Sequence, residues 1–388
     1  MLDFYNILIH KLNNKIRLEL VSFDLTKAFD SLDLNLLVEK MVTIGLDQRL
    51  IIVLKFFLFG RKQRVQLGSV VSGTISVNSG VPQETVLGPI MFSLYINDLF
   101  NVKINGYLSS YADDLKLLSI SGPPLQDDID NIDRWLTENK LTLNDKTVRV
   151  PLGLSVDDTV YRVANKPIKS EKAFRDLGVL VDSNLKFDLH IDRITLSCFR
   201  LINLLFRIFA LKSAPLYLKF YSVYVVPILL YCSPLYSGSS VRNMKSIESI
   251  QKYFTRRLYI RLNPNLSVPS YDIRLQEYQL ELLEIKLLRT DLLTLSSIVS
   301  GRLVVPSFKF SFSKLSPFRI VLSFVRSSKQ RKFFTHRVLS LWNKHIAIIP
   351  GFTLDKAKHF IQTTPIFLSS DGRASKALEL CEPIKTNK

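Results

Sequence analysis

Two adjacent carboxylates inside an apolar stretch restrict the fold of this chain more than any other feature. Asp113 and Asp114 lie between two short runs, 106–110 and 115–120, whose residues are typical of β-strands. The pattern predicts a β-hairpin with both acids at its tip. Like charges this close repel each other unless a cation lies between them, and Mg²⁺ prefers such oxygen ligands. Adjacent acids are also common as solvated turn residues, so the pair alone leaves both interpretations open.

A further acid ends a predicted strand upstream. Residues 18–25 form a strand-like run in which Asp24 lies near the end, 89 residues before Asp113 (113 − 24). The following residues change to a helical pattern, and we expect Asp30 or Ser31 to cap that helix. Asp24 is then not needed as a helix cap.

Between these acids lies a loop rich in glycine and proline. Residues 79–89 read Ser-Gly-Val-Pro-Gln-Glu-Thr-Val-Leu-Gly-Pro and lead into an apolar run, 90–99, that predicts a helix. The order is therefore a strand with an acid, a helix, a loop with a helix, and an acidic hairpin.

This order resembles the palm of reverse transcriptases from non-LTR (LINE-type, Jockey-like) retrotransposons. The family motif Phe-Asp-x-x-x-Ala-Phe-Asp is matched by residues 23–30, and Tyr-Ala-Asp-Asp by residues 111–114. Its loop usually reads Gly-Val-Pro-Gln-Gly-Ser-Val-Leu-Gly-Pro, which residues 80–89 match except at two positions. Three motifs in this order are far more specific than each alone, and thinner similarity continues to about residue 345.

The resemblance implies an α+β fold in which an antiparallel-rich sheet carries helices on one face, followed by a mainly helical region. It implies a palm over residues 1–185, a basic, helical, thumb-like region over 186–300 and a C-terminal retroelement region over 301–388. Because the chain starts 23 residues before Asp24, it also implies an N-terminally truncated copy whose fingers are largely absent.

The implied activity is that of an RNA-directed DNA polymerase. Such an enzyme transfers the nucleotidyl group of a dNTP to the 3′ hydroxyl of a DNA primer on an RNA template and releases pyrophosphate, with two Mg²⁺ ions or, as a substitute, Mn²⁺. By resemblance, Asp24 and Asp113 bridge the ions, Asp114 supports them, and the backbone carbonyl of Leu25 completes one coordination sphere.

Other residues acquire roles through the same resemblance. Phe29 would lie under the sugar of the incoming nucleotide and exclude a 2′ hydroxyl, although an aromatic residue here is also an ordinary core residue. Gln83 would contact the nucleotide and template, and Tyr111 the primer end. Lys146 would assist pyrophosphate departure, but the spacing before it is one residue short, and an exposed lysine without a catalytic role is the alternative. Leu177-Gly178 would form the primer grip.

Two departures in the loop bear on activity. Glu84 and Thr85 replace the usual Gly-Ser, and a glutamate adds bulk and negative charge near the phosphates of a nucleotide. We therefore expect impaired catalysis. The alternative function is a non-catalytic nucleic-acid-binding remnant of a retroelement.

Charge supports a nucleic-acid partner. The chain has 52 Lys and Arg against 34 Asp and Glu, and residues 193–388 hold 30 of the basic and 10 of the acidic residues. A surface of this kind attracts polyphosphates. Arg256 and Arg257 alternate with aromatic residues that could stack on bases, although a solvated basic helix face is the alternative.

No sequence signal points to a membrane or an oxidising compartment. Residues 220–241 carry no charge, but Pro227 and Pro234 interrupt them and favour a buried pair of helices over a membrane span. The three cysteines have no metal-binding or CxxC spacing, which indicates a reducing, intracellular location, nuclear or cytoplasmic.

Overall fold

The computed structural model of the chain describes residues 1–12, 17–120, 122–153, 159–210, 212–313, 316–321, 328–346 and 354–363. The chain divides into two compact units. One comprises Lys15–Gly178, and the other comprises Met1–Asn14 together with Val179–Lys388.

Helix α1 (Leu2–Leu12) belongs to the second of these units. The Lys15–Gly178 unit mixes strands and helices. Its elements are β1 (Leu18–Phe23), α2 (Leu34–Thr43), α3 (Gln48–Leu58), β2 (Arg61–Gln63), β3 (Gln66–Leu67), β4 (Val70–Val71), β5 (Ile75–Val77), α4 (Leu87–Ile96), a 3₁₀ turn (Asn97–Asn101), β6 (Tyr107–Tyr111), β7 (Asp114–Ile120), α5 (Pro123–Glu138), β8 (Val148–Leu152), β9 (Arg162–Val163), β10 (Lys166–Pro167), β11 (Lys169–Ser170) and β12 (Ala173–Asp176).

The main sheet of this unit has the order β11-β8-β1-β7-β6. Strand β1 is central and antiparallel to both β7 and β8, β6 is antiparallel to β7, and only β11 runs parallel to its neighbour β8. The mixed fold with an antiparallel-rich sheet is thus the fold class that the sequence predicted.

Helices pack on one face of this sheet. Val21 and Phe23 of β1 and Leu117 of β7 share one apolar core with buried residues of α2, α3, α4 and α5. Helix α5 contributes Leu125, Ile129, Ile132 and Leu136, whose spacing of three to four residues places them on one side of the helix. This packing fixes the central strands from which the acids project.

The predicted N-cap of helix α2 is wrong. Helix α2 begins at Leu34, and the Asp33 carboxylate accepts hydrogen bonds from the backbone N–H groups of Asn35 (2.9 Å) and Leu36 (3.0 Å). Asp30 and Ser31 instead belong to a turn, in which their backbone N–H groups both donate to the Lys27 carbonyl. The helix starts later than its sequence pattern suggested because the loop at Gly80 and Val81 holds this turn by backbone hydrogen bonds to Leu32 and Phe29.

The described part of the other unit is mainly helical. Besides α1, its elements are β13 (Val179–Asp182), α6 (Asp188–Ile208), α7 (Ala214–Phe220), a π-helical turn (Tyr221–Val225), α8 (Val226–Leu230), α9 (Ser233–Tyr236), α10 (Val241–Leu262), α11 (Tyr271–Glu277), α12 (Leu283–Val299), β14 (Phe312–Ser313), β15 (Ser316–Ile320), α13 (Ser328–Lys332), α14 (Phe334–Leu341), a π-helical turn (Trp342–Ile346) and α15 (Leu354–Thr363).

Aromatic side chains join the long helices of this unit. Phe254 of α10 stacks on Tyr221 with ring centroids 4.2 Å apart, and it also meets Phe206 of α6. A buried ion pair, Arg337–Asp291 at 2.7 Å, links α14 to α12. Within the described ranges, every helix is too short or too polar to cross a bilayer.

Candidate active site

Strand register brings Asp24 beside the acidic hairpin. Phe23 pairs with Leu115, so Asp24, the next residue after β1, comes level with Asp114, the first residue of β7. Strands β6 and β7 are joined by a two-residue turn, because Tyr111 pairs with Asp114 and only Ala112 and Asp113 lie between them. The predicted hairpin is therefore present, and its tip adjoins the end of the central strand.

The carboxylates influence one another electrostatically. The pKa of Asp114 is raised above its usual range, first by partial desolvation of the carboxyl group and then by the negative charge of Asp113. Asp176 and Asp24 raise this pKa further, and Lys116 opposes them. A site with this excess of negative charge favours a cation.

The donor chemistry fits divalent ions, but the side chains are not gathered around one point. Among the residues that the structure describes, no group of three or more His, Cys, Asp or Glu side chains is arranged to hold a metal ion. Carboxylate oxygens are the ligands that Mg²⁺ prefers, and Asp113, Asp176 and Asp24 all add to the effect of desolvation in raising the pKa of Asp114. Asp24, Asp113 and Asp114 therefore fit divalent ions in their donor chemistry, and the strand register places them at neighbouring positions of the sheet.

The backbone after β1 is held by a neighbouring segment. Asp24 donates its N–H to the Thr147 hydroxyl (3.3 Å) and accepts a hydrogen bond at its carbonyl from the Asn144 N–H (2.7 Å), while Leu25 forms an antiparallel bridge with Leu143. Backbone groups of successive strand residues point to opposite sides. The Leu25 carbonyl is therefore directed away from this segment, towards the side where β7 lies.

Lys146 lies in the turn that carries these contacts. It is exposed, and its neighbour Thr147 is buried against the Asp24 backbone. The predicted lysine is thus one residue from a direct contact with the acidic strand end. Thr147 and Asn144 had no predicted role, because neither residue type stands out in a loop sequence.

The Gly-Val-Pro-Gln loop is bonded to the turn after Asp24. Val81 donates its N–H to the Phe29 carbonyl (2.9 Å), and the Ser79 hydroxyl donates to the Asp30 carbonyl (3.0 Å). Gly80 has φ +72°, and a Cβ there would come within 2.6 Å of the Asp30 Cα. Only glycine permits so close an approach of the two backbones.

This contact determines where Phe29 and Gln83 lie. The Gln83 amide donates to the Asp30 carboxylate (2.6 Å), so the two side chains are hydrogen-bonded to each other. Phe29 is half-buried and stacks on Phe92 of α4, with ring centroids 4.6 Å apart. Phe29 thus has the packing of a core residue on one face.

The two unusual loop residues, Glu84 and Thr85, affect the structure of the loop differently. Glu84 is exposed and has φ 57°, the left-handed region in which glycine is favoured. Thr85 supports the first turn of α4, because its hydroxyl accepts the Gly88 N–H (3.1 Å) and donates to the Pro82 carbonyl (2.7 Å). Thr85 therefore supplies the hydroxyl that a serine would supply. Of the two differences from the usual loop sequence, Glu84 is the one that changes the backbone and the charge.

A buried ion pair connects the hairpin to the predicted primer grip. Lys116 of β7 and Asp176 of β12 are 2.6 Å apart, with side chains 4% and 1% exposed. Leu177 and Gly178 follow directly and both have positive φ, 44° and 88°. The ion pair was missed in the sequence, although a lysine inside the apolar run 115–118 was a visible signal.

A second buried acid fixes the start of the hairpin. Asp128 of α5 is fully buried and accepts hydrogen bonds from the backbone N–H groups of Asn105 (2.7 Å) and Gly106 (2.8 Å), and from the Ser119 hydroxyl (3.3 Å). Its carboxylate thus ties β6 and β7 to the helix layer. Tyr111, by contrast, is 66% exposed at the tip and free to contact a ligand.

The predicted nucleic-acid contacts on α10 differ from each other. Arg257 donates to the Tyr253 hydroxyl (3.0 Å) and lies over the Phe206 ring at 4.9 Å, so its guanidinium is engaged within the unit. Arg256 is exposed and lines a cavity with Arg274.

Together, an acid at the end of a central antiparallel strand, an adjoining Asp-Asp hairpin and a loop locked to the acidic strand's turn define a polymerase-type domain. Residues 7–179 match the sequence profile described as reverse transcriptase (RNA-dependent DNA polymerase). An uncharacterized protein of Caenorhabditis elegans is 32% identical over 163 residues, which cover 39% of this chain and 81% of that protein.

The chain belongs to the reverse transcriptase family, and its named relatives come from non-LTR transposons. The RNA-directed DNA polymerase from mobile element jockey of Drosophila funebris is 25% identical over 280 residues, covering 66% of this chain and 30% of the relative. The chain spans 30% or less of each named transposon polymerase that it matches. A telomerase structure from Candida albicans, in complex with a telomeric RNA fragment, aligns with 94% of this chain and 52% of that chain, at 12% identity and a TM-score of 0.39.

Proposed function

We propose that this chain acts as an RNA-directed DNA polymerase that extends a DNA primer with deoxynucleoside triphosphates on an RNA template. The observation that supports this most is the register that sets Asp24 level with Asp114 at the tip of the Asp-Asp hairpin. The Lys15–Gly178 unit would contain most of the palm, which we place over residues 1–185. Residues 186–300 would act as a thumb-like region and 301–388 as a C-terminal region.

Asp24, Asp113 and Asp114 would hold two Mg²⁺ ions, with the Leu25 carbonyl as a further ligand. Two divalent ions in such a site stabilise both the attacking and the leaving oxygens of an in-line displacement. The chain's own contribution is to keep the carboxylates in place through the β1–β7 register and the contacts of Asp24 with Thr147 and Asn144. Tyr111, exposed beside the acids, would contact the primer end.

The loop and the Lys146 turn would position the nucleotide. Gln83 would exchange its hydrogen bond with Asp30 for one to the nucleotide and template. The free face of Phe29 would lie against the sugar. Lys146, exposed one residue from Thr147, would neutralise negative charge on the departing pyrophosphate. The backbone turn at Leu177 and Gly178 would support the primer strand.

A second candidate function is nucleic-acid binding without catalysis. Two observations favour it: Glu84 occupies a left-handed backbone position beside Gln83, and the described acidic side chains are not gathered around a metal position. In that case the basic residues of 193–388 would still bind a strand while the palm completes no reaction.

Primer extension on poly(rA)·oligo(dT) with Mg²⁺ or Mn²⁺ separates the two functions. We expect incorporation of dTTP that falls about 100-fold or more in Asp113→Ala, the range seen when a group that stabilises transition-state charge is removed. Binding of the same template-primer by the variant provides the control for folding. Incorporation no greater than that of Asp113→Ala, together with intact, salt-sensitive binding, would reject polymerase activity for this chain and support the binding function.

A further inference from the structure

Helices α10 and α11 line an open cavity in the unit that contains Val179–Lys388. Its volume is about 400 Å³, within the range of about 300–1,000 Å³ typical of small-ligand pockets. The lining consists of Lys252, Tyr253, Arg256, Val268, Pro269 and Arg274. Three of these six residues are cations and none is acidic, which is an unusual lining unless an anion enters.

The three cations reach the cavity from two helices. Lys252 and Arg256 are four residues apart on α10 and therefore lie on the same helix face. Arg274 comes from α11 and is 7% exposed. Its guanidinium donates to the Thr255 hydroxyl (3.2 Å) and to the Pro269 carbonyl (2.5 Å). Arg274 is thus held rigidly by neutral acceptors.

In the part of the chain that the structure describes, none of the ion pairs involves Lys252, Arg256 or Arg274. Burial lowers the pKa of Arg274; Tyr271 opposes this shift, and the neighbouring charge of Arg256 adds to it. Lys252 does act on Glu248, but burial raises the pKa of Glu248, and the Tyr271 hydroxyl donates to its carboxylate. Arg274 is thus a buried cation with hydroxyl, carbonyl and aromatic neighbours and no carboxylate in the described ion pairs, and a bound anion would supply the opposite charge.

Tyr253 supplies an ordered aromatic ring at the same cavity. Its hydroxyl donates to the Asn203 side chain (2.6 Å), and Phe199 packs edge-on against the ring with centroids 5.1 Å apart. A fixed ring next to a cluster of cations matches the way in which proteins hold single strands, with cations on the phosphates and rings stacked on the bases.

We propose that this cavity binds one nucleotide unit of a single-stranded nucleic acid, with its phosphodiester between Arg256 and Arg274 and its base against Tyr253. The volume suits one nucleotide. The proposal is independent of polymerase activity, because it concerns a cavity in the unit that does not contain the acids, and binding alone tests it.

The test measures binding of a fluorescein-labelled 15-nucleotide single strand to the full chain by anisotropy at several salt concentrations. We expect Arg256→Gln to weaken binding about fivefold to tenfold and to reduce the slope of log affinity against log salt by about 1, as for a lost phosphate contact. Tyr253→Leu should weaken binding about tenfold through lost stacking and leave the slope unchanged.

Arg242→Gln is the matched control, since Arg242 is an exposed arginine on the same helix and outside the cavity. Its slope and affinity should stay close to those of the unchanged chain. Equal losses for Arg242→Gln and Arg256→Gln would overturn the proposal, because the helix would then act only as general surface charge.

Competition separates a strand from a free phosphate compound. An unlabelled single strand should displace the probe at far lower concentration than inorganic phosphate or AMP, and an oligonucleotide with a neutral methylphosphonate backbone should compete poorly. Displacement by AMP at the same concentration as by the strand would overturn the strand assignment. A duplex that binds more tightly than the single strand, with the same dependence on Arg256, would overturn it as well.

Discussion

The acidic hairpin and the α10–α11 cavity both collect like charges, but they hold those charges in different ways. At the hairpin, strand register and loop contacts position the acids, and the neutral ion pair Lys116–Asp176 lies close by. In the cavity, Arg274 is itself a structural residue, because its guanidinium links α11 to α10 and to the Pro269 backbone.

This difference separates two kinds of substitution. The acids at the hairpin tip are exposed, so replacing one removes charge at little cost to the fold. Replacing Lys116 or Arg274 removes a buried charge together with its contacts, and the cost then depends on what remains unpaired. Stability measurements on variants of both regions test this distinction directly.

The largest effect is expected at the ion pair beside the hairpin. Lys116→Met leaves the Asp176 carboxylate buried without its cation, which should lower the free energy of unfolding by about 3–5 kcal/mol. Urea unfolding in a Trp342→Phe background measures this, since the remaining tryptophan, Trp135, lies in the same unit.

The double variant Lys116→Met with Asp176→Leu is the matched control, because it removes both charges and should recover most of the lost stability. A single variant as stable as the unchanged chain would show that the ion pair does not support the hairpin. It would also remove the contrast between the Lys116–Asp176 ion pair, which supports the fold, and the acids of the hairpin tip, which do not.

A smaller loss of folding stability is expected when Arg274 in the cavity is replaced. Arg274→Gln removes hydrogen bonds from a charged donor to Thr255 and Pro269, at about 1.5–3 kcal/mol for a hydrogen bond to a charged group. The loss should be partly offset, because the buried charge disappears too. Unfolding followed by Trp342 in a Trp135→Phe background reports on this unit. An Arg274→Gln variant more stable than the parent would place Arg274 with the hairpin acids, as a charge kept for a ligand at the expense of the fold.

Glu84→Gly should stabilise the chain by about 1 kcal/mol, because a non-glycine residue in the left-handed region costs about 1–2 kcal/mol. Glu84→Ala is the control that removes the charge and keeps the backbone strain. If glycine raises both stability and primer extension while alanine raises neither, the loop's departure acts through its backbone. If both variants raise extension equally, the charge of Glu84 is the cause.

Local features of the site were predictable from the sequence because they depend on alternation and turn residues. The strand before Asp24, both strands of the hairpin and the helix after the loop occur where the sequence placed them, within a few residues. The cap of α2 was predicted at Asp30 or Ser31 but lies at Asp33, because the Gly80 loop holds the preceding turn out of the helix.

The contacts that position the site could not be predicted in the same way. Lys116 and Asp176 are 60 residues apart, and Asp24 and Thr147 are 123 apart. Such pairs follow from the order and register of strands in the sheet, which local periodicity does not determine. Arg274 was overlooked for a similar reason, since only the packing of α11 on α10 brings it to Arg256.

The smallest effect concerns the hairpin tip and has the opposite sign to the scaffold variants. Asp113→Asn removes a negative charge that raises the pKa of Asp114, so it should increase the free energy of unfolding at neutral pH, by less than about 1 kcal/mol for an exposed pair. Because the folded-state pKa of Asp114 is raised, the metal-free chain binds this proton more tightly when folded and gains stability as the pH falls towards that pKa. The advantage of Asp113→Asn should therefore shrink with falling pH as Asp114 becomes protonated, and urea unfolding at pH 7 and at pH 4.5 in the presence of EDTA measures the difference. An advantage that is the same at both pH values would mean that Asp113 acts on the turn conformation and not on the charge of Asp114, and the tip would then belong with the scaffold.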